Sequence, residues 1–317
     1  MTTSLLFLTL GLVLLYLGGE GLVRGSAALA LRLGLTPLVV GLTVVAFGTS
    51  APELVVCIRA VLAGQGTIAI GNVVGSNILN IGLILGLTAV IYPLKVQLQI
   101  LRIDAPIMIG VSCIVAWMLL ADQTISRAEG ACLAGGLIAY TGFTVLFARK
   151  SKPSAEIEAE FAEGIPKPRG SVWSDLLSIF AGLALLIAGS RFMVDGAVSL
   201  AKGFGISEAV IGLTVVALGT SLPELVTCIV AAMKREPDIA LGNIIGSSIF
   251  NLLGILGVTA LVRPIAGGGI QAFDLYVAIA FAVALLPILW SGRKLQRWEG
   301  GLLLGGYVAY LGFLWPK

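Results

Sequence analysis

Two six-residue motifs carry the side chains best suited to chemistry. Residues Gly48 to Glu53 read GTSAPE and Gly219 to Glu224 read GTSLPE, each inside a long apolar run. Proline has no N–H, and its ring clashes with the carbonyl four residues back. Pro52 and Pro223 are therefore expected to break their helices and free carbonyls, those of Ala46, Phe47 and Gly48 in the first motif. Irregular backbone at membrane depth is tolerated only where it faces protein or a wet cavity. The freed carbonyls, the hydroxyls of Thr49, Ser50, Thr220 and Ser221, and the carboxylates of Glu53 and Glu224 are all hard oxygen donors. A charge in that setting costs at least about 2.5–3.5 kcal/mol and marks function by default. No Lys or Arg lies within four positions of Glu53, so no local ion pair explains it. The bland reading of the two glutamates, protonated packing residues, carries less weight than a site.

A second motif follows each first one. GNVVGSNILN begins at Gly71 and GNIIGSSIFN at Gly242. Asn72, Ser76 and Asn80 are spaced by four, as are Asn243, Ser247 and Asn251, so each set lines one helix face. Gly71 with Gly75, and Gly242 with Gly246, allow close helix approach. Each stripe is expected to abut the broken helix of its own repeat, placing Ser76, Asn80, Ser247 and Asn251 beside the glutamates. The whole donor set is oxygen. Calcium takes six to eight oxygens at about 2.3–2.6 Å in flexible geometry, and two bidentate carboxylates with neutral oxygens would meet that. Soft transition metals are disfavoured, because the site holds no Cys and the chain has no His at all. The missing histidine also removes imidazole catalysis. With no HExxH and no evident nucleophile–base pair, an intramembrane enzyme is poorly supported. Cys57, Cys113, Cys132 and Cys228 sit in apolar runs and read as small apolar filler.

The elements that must hold these motifs are membrane helices. The chain is 58% hydrophobic and 12% charged over 317 residues, against about 25% charged in a soluble domain. Apolar stretches predict ten helices, near 4–31, 36–63, 67–91, 101–121, 127–148, 173–202, 207–233, 238–262, 272–291 and 297–315. Gly41 and Gly212, Gly71 and Gly242, and Pro93 and Pro264 all share one offset of 171 positions, so the chain is duplicated over nearly its full length. An odd number of helices per copy makes the second copy enter from the opposite side, a transporter architecture with its site at the repeat interface. A passive channel is disfavoured by the same inverted repeats with broken helices. The expected fold is thus an all-α membrane protein of ten transmembrane helices in two inverted five-helix repeats. Residues 1–148 form the first repeat, 149–172 a polar linker and 173–317 the second repeat.

Within the helices, Glu20 with Arg24 and Arg191 with Asp195 read as ion pairs one turn apart, with a latch between helices one and six as the functional alternative. Placing the N-terminus outside leaves fourteen Lys and Arg on inner connections and six outside, so both termini are expected outside and the linker in the cytoplasm. No basic stripe with interleaved aromatics implies nucleic acid.

At the doubled motifs, GTSAPE with GSNILN and GTSLPE with GSSIFN, the chain resembles the sodium/calcium exchanger family of cation/calcium antiporters, most closely its prokaryotic members. The resemblance implies ten helices in the cell membrane, calcium moved against sodium, and alternating access by sliding of helices one and six. It implies no resident cofactor: calcium and sodium are the transported ions and the lipid bilayer the surroundings. By position, Glu53, Glu224, Thr49 and Thr220 would form the calcium site. Ser50, Ser76, Ser221, Ser247 and the carbonyls of Ala46 and Ala217 would complete sodium sites, with Asn80 and Asn251 flanking the centre. Relatives often carry aspartate where Asn251 stands. Calcium/proton antiport is the alternative reading, since Glu53 and Glu224 could carry protons.

Overall fold

A computed structural model of the chain describes residues 2–150, 171–203, 217–266 and 271–314. Most of the expected linker, the first part of the helix expected near 207–233, and Lys317 lie outside the described residues. What is described is almost entirely helical, because apolar chain in lipid must satisfy its backbone internally.

Seven of the described helices are long and apolar enough to cross a membrane. The pair Pro37–Thr49 and Ala51–Leu62, bent by 44° at its break, makes an eighth if counted as one span. Two further expected spans stand outside that count. One continues from undescribed residues as Ala217–Thr220 and Leu222–Met233, and the other is the 18-residue helix Arg297–Leu314. Helices Gly66–Ile91 and Pro237–Val262 form the centre, with 72% and 89% of their apolar windows buried. The outer helices present one side to the surroundings.

The first helix, Thr2–Leu33, lies along Val172–Gly203 over its whole length. Glycines at seven-residue spacing make this possible: Gly11, Gly18 and Gly25 on one helix, Gly182, Gly189 and Gly196 on the other. A Cβ added at Gly18 would sit 2.7 Å from the Leu186 nitrogen and 2.8 Å from the Gly182 carbonyl oxygen. Only bare backbone fits there, and the spacing repeats the contact every two turns.

Two short ribbons tie the halves together. Leu94–Lys95 pairs antiparallel with Lys294–Leu295, and Thr124–Ile125 with Ile265–Ala266. A hydrogen-bonded anchor repeats as well, buried in the first half and half-buried in the second: Tyr140 Oη donates to Asp104 Oδ1 and Tyr310 Oη to Asp274 Oδ1, both at 2.9 Å.

The two expected intrahelical ion pairs do not form. Glu20 pairs with Lys234 at 2.8 Å, and among the described residues Arg191 and Asp195 make no ion pair. Lys234 follows the last residue of Leu222–Met233 and reaches across to the first helix, so a neighbouring helix supplies what the same helix was expected to. Arg32 also pairs with Asp175, joining the two long helices at one end.

Candidate functional site

The site is built around two helix breaks. Backbone geometry leaves the helical range at Ser50 (φ −85°, ψ 3°) and at Ser221 (φ −95°, ψ 7°). Each serine is the N-cap of a new helix, with proline in the first turn and a glutamate in that same turn. Such a serine ordinarily turns its hydroxyl onto its own helix, and S-x-x-E is the sequence of a capping box. Neither does so here. Ser50 Oγ donates instead to Glu224 Oε1 at 2.9 Å, and Ser221 Oγ to Glu53 Oε1 at 3.2 Å. The caps are exchanged between the two motifs, and the exchange locks the breaks side by side. The positive ends of both new helices then face the carboxylates they carry.

Both glutamates are buried, about 1% exposed. Their other oxygens, Glu53 Oε2 and Glu224 Oε2, are buried with no hydrogen-bond partner among the described residues. Asn80 Oδ1 and Asn251 Oδ1 are in the same condition. Each asparagine opens a widened turn with i→i+5 bonding, Asn80–Leu85 and Asn251–Ile255. Widened turns of this kind are frequent at functional sites because they re-aim side chains within a continuous helix. The turn at Asn251 packs against Ala51–Leu62, the helix of Glu53, and the turn at Asn80 against Leu222–Met233, the helix of Glu224. Four oxygen acceptors thus share one buried region with no hydrogen-bond partner among the described residues, and acceptors left so are costly unless a cation or a proton satisfies them.

The neutral oxygens gather around this core. Thr49 Oγ1 donates to Asn243 Oδ1 at 3.0 Å. Ser247 Oγ lies 3.5 Å from the Ala46 carbonyl and 3.4 Å from Asn243 Oδ1. The Ala46 carbonyl also accepts the Ser50 N–H at 3.1 Å, so the break leaves it less free than the position of proline predicts. Ser76 is buried one turn before Asn80. Thr220 is half-buried on Ala217–Thr220, which Ala217 opens. Among the described residues no group of three or more Cys, Asp or Glu gathers, so the site has two carboxylates and neutral oxygens only.

The structure extends one sequence expectation, corrects another and adds a residue. The stripe of Pro237–Val262 abuts its own repeat's broken helix as expected, Asn243 donating to the Glu224 carbonyl, and it abuts the broken helix of the other repeat as well. A Cβ at Gly242 would meet the Leu38 carbonyl oxygen at 2.7 Å, and one at Gly246 the Leu42 carbonyl oxygen at 2.5 Å. The break explains this, because the half before it packs across the repeats while Leu222–Met233, after it, packs within its own. Cys57 and Cys228 are more than filler. Each accepts an amide N–H, from Asn72 and Asn243 respectively, at 3.4 Å, and donates to the carbonyl of Ala69 or Ala240 at 3.5 and 3.6 Å. Asn77, which lies one position off the stripe, belongs to the polar network too: it donates to the Ser248 carbonyl and accepts from Asn251.

Comparison with known proteins gives the family. A family model described as sodium/calcium exchanger protein matches residues 3–146 and 174–315. The sodium/calcium exchanger MaX1 of Methanosarcina acetivorans is 33% identical, with 98% of each chain covered. The inner membrane protein YrbG of Escherichia coli is 38% identical over 97% of this chain and 95% of its own. In three dimensions the chain matches the sodium-calcium exchanger NCX_Mj, soaked with zero Na+ and Ca2+, with a TM-score of 0.85, 32% identity and 99% of each chain covered.

Proposed function

The chain belongs to the sodium/calcium exchanger family, and from that premise we propose that it exchanges Ca2+ for Na+ across the cell membrane by alternating access. It is a multi-pass integral membrane transporter. The proposed cargo site comprises Glu53, Glu224, Thr49 and Thr220 for calcium. Ser50, Ser221, Ser76, Ser247 and the carbonyls of Ala46 and Ala217 serve sodium, and Asn80 and Asn251 stand at the centre. One observation carries the reading: four buried oxygens, two of them on carboxylates, share a region and have no hydrogen-bond partner among the described residues. A hard cation is the partner that chemistry calls for.

The proposed architecture is ten spans in two inverted repeats, residues 1–148 and 173–317, joined by a cytoplasmic linker over 149–172, with both termini outside. The crossed Ser–Glu bonds and the two ribbons, each joining a connection of one half to a connection of the other, support it. The glycine-seamed helices Thr2–Leu33 and Val172–Gly203 would then move as one unit against the rest.

Charge sets the stoichiometric class. With asparagine at both 80 and 251, the site offers at most two negative charges, which one calcium neutralises. No carboxylate remains to hold potassium, so exchange is potassium-independent. Several sodium ions replacing one calcium make the cycle electrogenic. The experiment is calcium uptake into proteoliposomes under an outward sodium gradient, an outward proton gradient, or neither, with the membrane potential clamped. Uptake that follows sodium and the potential, with or without potassium, supports the reading. Uptake driven by protons alone replaces it with calcium/proton antiport, and an absolute potassium requirement refutes the charge assignment.

A further inference from the structure

We infer that Asn77 is a positioning residue for cation binding: it fixes the amide of Asn251 so that its oxygen, and not its NH2, is offered to the ion. This rests on the cation site proposed above. A chain of hydrogen bonds has its direction forced from one end. The Ser248 backbone carbonyl can only accept, so the Asn77 side chain must present its NH2 to it, at 3.1 Å. The Oδ1 of Asn77 therefore faces the other way, toward Asn251, and it too can only accept. Asn251 is thus bound to offer its own NH2, at 3.0 Å. Its Oδ1 is left buried without a partner, on the turn that packs against the helix of Glu53. A neutral amide has one oxygen, and a cation gains nothing from the NH2 face. The backbone carbonyl of Ser248 therefore decides, through Asn77, what Asn251 shows to the site.

The two repeats differ here. The position 171 residues after Asn77 is Ser248, so the two counterparts touch each other. A serine cannot do for Asn80 what Asn77 does for Asn251. Ser248 Oγ is buried without a partner, and among the described residues no hydrogen bond holds the Asn80 amide. Beside Asn77 and Ser248 lies a cavity of about 20 Å³, also lined by Ser112 and Met108, large enough for one water. The centre is accordingly one-sided, with one amide pre-aimed and the other free to turn.

A structural role for Asn77 would predict the same loss whatever stands at 251, and the test separates the two. Calcium affinity is measured by calorimetry on the purified protein, and half-saturation of sodium-driven calcium uptake in proteoliposomes. Four proteins are compared: unaltered, Asn77→Ala, Asn251→Asp, and both together. Asn77→Ala should weaken calcium binding about tenfold, the scale of one contact to a charged partner. An aspartate presents oxygen whichever way it turns, so adding Asn77→Ala to Asn251→Asp should change affinity by less than about twofold, within ordinary additivity. Asn77→Ser, which keeps a polar group beside the cavity, should behave like the alanine variant and serves if that variant fails to fold. Equal losses in both backgrounds, or no loss in the native one, overturn the inference alone. An unaltered protein that binds no calcium brings down the exchange reading and this inference with it.

Discussion

Replacing Glu53 by glutamine alters one atom's chemistry and removes one of the two charges in the site. Glu53 uses Oε1 to accept the Ser221 hydroxyl at 3.2 Å and leaves Oε2 unpartnered. A glutamine has a single oxygen to distribute. If that oxygen faces Ser221, an NH2 faces the ion. If it faces the ion, the Ser221 hydroxyl can turn to accept from the NH2, and the ligand survives without its charge. In both cases a divalent cation keeps only Glu224 as an anionic partner. Removing one member of a buried charge pair costs about 3–5 kcal/mol, and about 1.36 kcal/mol is a factor of ten. Calcium affinity should therefore fall by roughly two to nearly four orders of magnitude. Because glutamine keeps the shape and separates facing carboxylates, the ion-free protein should melt no lower than the parent. The assays are calorimetric calcium titration and thermal melting with and without calcium. The variant should lose the calcium-dependent rise in melting temperature and nothing else. Glu224→Gln should match it, since Ser50 holds Glu224 in the crossed position at 2.9 Å. Retention of more than about a tenth of the affinity by either variant would refute the two-carboxylate site.

Three further perturbations probe separate contacts. Thr49→Ala removes a neutral oxygen and its 3.0 Å bond to Asn243, so half-saturation for calcium should rise by about tenfold or less, far below the glutamine effect, in the same uptake assay. Tyr140→Phe strips a 2.9 Å donor from the buried Asp104 carboxyl, which should cost about 1–3 kcal/mol of stability in denaturation while leaving ion affinity unchanged. Gly18→Val forces a side chain between backbones already in contact and should destabilise by about 1–3 kcal/mol or more, read as a lower melting temperature, whereas Gly34→Val, where a Cβ meets nothing, tests only a positive φ of 62°.

Much of this site could be read from residue types and spacing. Two carboxylates behind two prolines in apolar sequence, repeated at one offset, are too costly to persist as packing alone. The sequence also carried S-x-x-E twice, but the local rule would have closed each capping box on its own helix. That the caps cross between motifs 171 residues apart is a tertiary fact with no local signal. The widened turns at Asn80 and Asn251 are equally silent, since an i→i+5 step demands no particular residue. Asn77 was missed for a geometric reason. A strict stride of four from Asn72 skips it, yet the partner helix reaches the adjoining face as well. The ion pair expected within the first helix failed likewise: a one-turn rule sees Glu20 with Arg24 and cannot see Lys234.

The length of the two glycine-seamed helices bears on motion in lipid. Each runs for 32 residues, Thr2–Leu33 and Val172–Gly203. At about 1.5 Å per residue that is about 48 Å of rod, against about 30 Å of hydrocarbon. A rod cut to the thickness of the bilayer is pinned, because any axial shift drags one polar end into oil. These rods have about 18 Å to spare, taken up as tilt or as overhang beyond the hydrocarbon. If the pair slides along its axis as proposed, the apolar length that lipid covers changes little, and the solvation cost of the movement stays nearly flat. In a thicker bilayer the overhang shrinks and the travel shortens. The thickness of the membrane would then act as a mechanical stop on the movement proposed for this pair, while Glu53 and Glu224 stay buried among the protein's own helices.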